Sequence, residues 1–107
     1  MNQIERIRYF EQLYNETINT LMKTEKILEE YEEAQQGIRR LEEYYTGDEW
    51  KKDFEDDEKG LIPSEIRRGV LSEDSVYNLL EKNDIVLETI EQIMKKQRYI
   101  RMIQLQE

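Results

Sequence analysis

The chain reads as all-α: two long antiparallel helices and a short middle helix, a three-helix bundle or helical hairpin with a cap. Three observations predict this. Apolar residues recur at alternating steps of three and four over most of both halves. The one Pro and three of the four Gly fall between Thr46 and Ser75. Charged residues make up 38% of the chain and apolar residues 37%, a balance that suits surface-rich helices better than a compact globule.

The first element opens at Asn2, which can cap a helix while Glu5 reaches back, as in a capping box. Ile7, Phe10, Tyr14, Leu21, Leu28, Tyr31, Ile38 and Tyr45 form a heptad seam. Thr17, Thr24, Gln35 and Glu42 fill its remaining positions, so the seam is imperfect. Ile4, Leu13, Ile18, Met22, Ile27, Ala34 and Leu41 widen it, and a stripe that wide suits a bundle core better than a strict two-stranded coil. Gly37 costs a helix interior roughly 1 kcal/mol against Ala. The expectation is a helix over 3–36, a kink or break at Gly37, and a continuation over 38–45.

Thr46 and Glu49 form a second capping-box pattern, with Tyr45 and Trp50 placed to staple the turn. The short helix spans about 47–59 and ends near Gly60. Trp50, Phe54 and Leu61 mark one of its faces. Asp53, Glu55, Asp56, Asp57 and Glu58 crowd its C-terminal end, the wrong end for negative charge unless a cation approaches. Arg67 and Arg68 are the candidates for that cation. Residues 60–72 read as irregular, with Pro63 favouring extended backbone before it. Ser64–Arg68 forms one helical turn on this reading, and Gly69 ends it. Ser72 then caps a long helix over about 73–104, with Glu73 and Asp74 at its favourable end. At ~1.5 Å per residue, 3–36 and 73–104 have matched lengths of about 50 and 48 Å, which suggests an antiparallel pair in one domain spanning residues 1–107. Such a pair alone leaves broad apolar stripes partly wet, so self-association or a protein partner is expected. Tyr44 and Tyr45 are adjacent and cannot both face inward on one helix. One of them is expected to be exposed or to pack on the middle segment.

Composition narrows the function. There is no His and no Cys, which removes the commonest general base, the commonest transition-metal ligand and any thiolate site. Net charge is −9, split −4, −5 and 0 over residues 1–45, 46–75 and 76–107. Phosphate backbones repel such a chain, so no direct nucleic-acid binding is expected. No signal-peptide pattern and no apolar run of ~20 residues occurs, so the expectation is a cytoplasmic protein with no membrane association.

Candidate chemistry in the acidic run fails on spacing. Counted from Asp53, the sixth residue of a calcium loop is Glu58 where Gly is needed, and the twelfth is Ser64 where Glu is needed. Ser72 has no triad partner, and the glycines are too scattered for a phosphate loop. The reading is therefore non-enzymatic, with no catalytic residue, metal or cofactor. The candidate partner-contact or cap residues are Trp50, Phe54, Asp56, Asp57, Arg67, Arg68, Gly69, Leu71, Asp74 and Tyr77. Arg67 and Arg68 could clamp a phosphate or carboxylate, but neutralising Asp56, Asp57 and Glu58 within the chain is the preferred reading. Trp50 and Phe54 are read as core before ligand platform.

The stretches YYTGDEW, GLIP and RRGVLSEDSVYNLL, with the opening IERIRYFEQLYNE, resemble the bacterial family of domain of unknown function 4298. The resemblance covers roughly residues 3–95 and leaves out the C-terminal KKQRYIRMIQLQE. It places Gly37 where many members have proline. The matching residues of the middle stretch are Trp50, Phe54, Gly60, Pro63, Arg68, Gly69, Leu71, Ser72, Asp74 and Tyr77. The resemblance implies a small, mostly helical protein and carries no activity, cofactor or catalytic residue. The sequence thus predicts a helical protein-interaction module that binds itself or another protein. The alternative is an acidic nucleic-acid mimic that inhibits a nucleic-acid-binding protein.

Overall fold

The computed structural model describes residues 1–106. Three α-helices follow one another: α1 Gln3–Tyr45, α2 Asp48–Glu58 and α3 Ser75–Gln106, with a single 3-10 turn at Gly69–Leu71. Among the described residues there is no strand. The chain is thus all-α, with two long helices and a short middle one. It divides into two units, Met1–Arg39 and Arg40–Glu107.

The first unit is the N-terminal part of α1. Its start is built as the sequence dictates. The Glu5 backbone N–H donates to Asn2 Oδ1 at 2.8 Å, and Asn2 Nδ2 donates to Glu5 Oε1 at 3.2 Å, so cap and third residue hold each other. The break expected at Gly37 does not occur, and α1 runs unbroken to Tyr45. One glycine costs a helix about 1 kcal/mol, too little to interrupt an already nucleated segment more than thirty residues long. No residue of α1 is buried. Ile7, Phe10, Leu21 and Leu28 on the seam are 45–58% exposed.

The second unit holds the end of α1, then α2, the loop, the 3-10 turn and α3. Thr46 does not cap α2 as expected. Its Oγ1 donates to the Glu42 carbonyl at 2.8 Å and so closes α1. Gly47 is the N-cap of α2, with no side-chain bond. A Cβ on Gly47 would lie 3.1 Å from the Glu43 carbonyl oxygen, so the tight passage between the helices calls for Gly. At the other end of α2, Gly60 takes φ +73°. The Leu61 N–H reaches the Asp56 carbonyl at 2.9 Å, and the Gly60 N–H reaches that of Asp57 at 3.0 Å. This paired closure needs a left-handed residue, which glycine adopts without strain. Leu61 lies beyond the closure and is exposed, not on the apolar face of α2.

The helical turn expected at Ser64–Arg68 is shorter than expected, and the 3-10 turn lies further along the chain. Residues 63–66 make a single hydrogen-bonded turn, in which the Ile66 N–H donates to the Pro63 carbonyl, and the 3-10 turn begins at Gly69 rather than ending there. Ser72 does act ahead of α3: its Oγ accepts from the Ser75 N–H at 3.2 Å. Asp74, just before α3, accepts from the Asn78 N–H through its carbonyl. Among the described residues only Leu71 and Val76 are buried. The interior of this unit is therefore small, and it sits where the 3-10 turn meets α3.

Candidate functional site

The elbow between α2 and α3 is organised by one side chain. Arg68 Nη1 lies 2.7 Å from Asp57 Oδ1 and also donates to the Ile62 carbonyl at 3.3 Å. Its Nη2 donates to the Pro63 carbonyl at 2.7 Å, and its Nε to that of Ile66 at 3.3 Å. The planar fork thus gathers four acceptors from one loop and one helix end, a task that the rigid geometry of guanidinium suits. Local sequence explains why they converge. Gly60 turns the chain back at the end of α2, and Pro63 removes a competing N–H from the loop. The positive charge also meets the carboxylate at the negative end of the α2 dipole. The frustration read from the acidic run is relieved by Arg68 alone. Arg67 stays exposed and makes no ion pair with any described residue, contrary to the expectation that both arginines would neutralise the run.

A second cluster is aromatic. Trp50 is half-buried, with its indole 5.0 Å from the Tyr45 ring in an edge arrangement and 5.2 Å from the Phe54 ring, stacked at 15°. Its Nε1–H donates to the Val70 carbonyl at 2.8 Å, which ties α2 to the 3-10 turn. The expected Tyr45–Trp50 contact is present. Given the observed cap at Gly47, it joins the second residue before the cap to the third helical residue.

Tyr44 and Tyr45 both pack on the middle segment, and both are half-buried. Tyr44 Oη donates to Asp53 Oδ2 at 2.6 Å, and Tyr45 Oη donates to the Glu73 carbonyl at 3.1 Å. Burial, then the hydrogen bond to and the charge of Asp53, push the Tyr44 phenol up to about 12. Sequence reasoning missed these hydroxyl bonds and the Ser75 Oγ bond to the Gly69 carbonyl at 2.7 Å. The one signal was the pair of adjacent tyrosines at a helix end, two residues before a glycine.

The structure brings Trp50, Phe54, Asp57, Arg68, Gly69 and Leu71 into one framework. Asp56 is half-buried beside it. Tyr77 stands apart, 58% exposed, and the Asp74 side chain is exposed. Beside the framework, Leu41, Val70, Val76 and Leu79 line a shallow apolar groove with Arg67 at its rim. A polar recess lies among Arg40, Glu43, Tyr44, Gly47, Asp48 and Glu49. Among the described residues, no group of three Asp or Glu side chains is placed to hold a metal ion. No described helix is long and apolar enough to cross a membrane.

Compared with known proteins, the chain matches no curated protein and no solved structure. One family does match, over residues 7–98, a span that holds the Arg68 clamp and the aromatic cluster. The chain therefore belongs to the family described as Domain of unknown function (DUF4298).

Proposed function

We propose that the protein is a non-enzymatic helical interaction module. The long helices provide its binding face, and the elbow serves as a structural cap. One observation carries this reading: α1 runs for 43 residues with none buried, although its seam and flanks are apolar. Exposed apolar surface on that scale marks an interaction site. The elbow spends its distinctive groups internally, Arg68 on Asp57 and three carbonyls, and Trp50 on Val70.

Site-specific photocrosslinking in the cell tests the reading. A photoreactive residue at Leu21, on the seam, is expected to give discrete adducts. One at Glu30, on the polar face, is expected to give none. Equal yields from both positions, or no adduct from either, would overturn the proposal.

The acidic-mimic reading has less support. Two carboxylates of the 46–58 cluster, Asp53 and Asp57, are engaged by Tyr44 and Arg68. A mimic would also lose its target steeply as salt is raised, because charge pairs carry the binding. Apolar docking would persist in high salt.

A further inference from the structure

We infer that the groove beside the elbow docks the C-terminal residue of a protein partner, with an aliphatic side chain in the groove and the terminal carboxylate on Arg67. The site is separate from the long-helix face and uses other residues. Leu41, Val70, Val76 and Leu79 line a hollow of about 380 Å³ together with Gly69 and Arg67. All six lie in the second unit. Val76 is buried there, while Val70 and Leu79 stay 41% and 38% exposed. The hollow is open because residue 69 has no side chain: a Cβ there would meet nothing within 4 Å. Its volume is at the low end for ligand sites, which suits a residue or two rather than a helix.

Charge selects the occupant. Arg68 is committed to Asp57 and three carbonyls. Arg67 stands at the rim with no ion pair to any described residue. A guanidinium beside an apolar surface suits a carboxylate, which it holds through two parallel bonds. Residues 46–75 carry a net charge of −5, so a polyanion is repelled and a single carboxylate is favoured. Backbone groups narrow the choice further. The Gly69 carbonyl already accepts from the Ser72 N–H and Ser75 Oγ, and the Val70 carbonyl from Trp50. Among the described residues there is no strand whose edge could pair with a peptide. A segment running through the groove would bury N–H groups against acceptors already in use, which is costly. A chain end delivers side chain and charge on one residue and leaves the rest of its backbone in water.

N-acetyl-L-leucine and its C-terminal amide, titrated into the isotope-labelled full chain, test this by nuclear magnetic resonance. The acid is expected to shift the methyl signals of Leu41, Val70, Val76 and Leu79 with a Kd of about 1–10 mM. The amide is expected to bind about tenfold more weakly, having lost the charged bond. Arg67→Gln should erase that difference, and Gly69→Leu should abolish both sets of shifts by filling the groove. Trp50 emission like the parent's shows that each variant is folded, and if Gly69→Leu is not, Arg67→Gln alone decides. No methyl shift at about 50 mM acid would overturn the inference. So would acid and amide bound alike by the parent, a difference that survives in Arg67→Gln, or a folded Gly69→Leu that still binds. Equal binding of acetyl-Leu-Glu-amide, whose carboxylate is internal, would also overturn it, because the groove would then read a passing segment. None of these outcomes involves Leu21, so the crosslinking test of the long-helix face stands or falls separately.

Discussion

Arg68 and Asp57 meet at 2.7 Å across the end of α2, and the same guanidinium holds the Ile62, Pro63 and Ile66 carbonyls. Replacing Arg68 by Ala leaves a half-buried carboxylate and three carbonyls without their donor. The expected loss is about 2–4 kcal/mol in urea unfolding followed by Trp50 emission. Arg68→Lys keeps the charge and loses the fork, and should still cost about 1–2 kcal/mol. A lysine variant as stable as the parent would show that charge alone suffices.

Trp50 acts through both its rings and its N–H. Trp50→Phe keeps most of the aromatic packing and removes the donor to Val70, at an expected cost of about 1 kcal/mol. Trp50→Ala should cost about 2–4 kcal/mol, below the full range for a buried Trp because the side chain is only half-buried. Unfolding followed by circular dichroism checks both. Equal costs would mean that the hydrogen bond, not the rings, holds α2 to the 3-10 turn.

Three glycines should respond differently to alanine. Gly37→Ala meets open space in a continuous helix and should stabilise by about 0.5–1 kcal/mol. Gly60→Ala must adopt φ +73° and should cost about 1–2 kcal/mol. Gly47→Ala sets a Cβ 3.1 Å from a backbone carbonyl and should also destabilise. Thermal melts of the three variants order them. A destabilised Gly37→Ala would reveal a distortion of α1 at that position.

Stability should fall at high pH through Tyr44. The native phenol stays protonated to about 12, above its ordinary value of 10, so the folded state holds a proton that the unfolded state releases first. That contribution is complete below pH ~10 and lost as pH rises toward ~12, about 1–3 kcal/mol in all. Tyr44→Phe should be less stable than the parent at neutral pH, with the gap closing over that window. A constant gap would mean that the fold does not hold the phenol proton above its ordinary range.

What could be read from the sequence was what local chemistry decides. Asn2 with Glu5, Gly60 at a helix end and Ser72 ahead of α3 all followed from short-range hydrogen-bonding rules. Thr46 misled because its hydroxyl serves either the helix behind it or the one ahead, and the tight passage at Gly47 favours the former. Gly37 misled because a local propensity was weighed without the long helix around it. The Arg68–Asp57 pairing was foreseeable from charge. The three carbonyls it gathers were not, because they depend on the path of the loop. The reach of the tyrosine hydroxyls to Asp53 and Glu73 likewise required the folded backbone.

Leu71 and Val76 are the only residues of the described chain that are buried, the rest of its interior being half-exposed. Unfolding so slight an interior exposes little new oily surface, and the heat-capacity increment of melting scales with that surface. A lone chain should therefore show a shallow, drawn-out calorimetric transition. Sharpening of that transition as protein concentration rises would trace cooperativity to association rather than to anything stored inside one molecule.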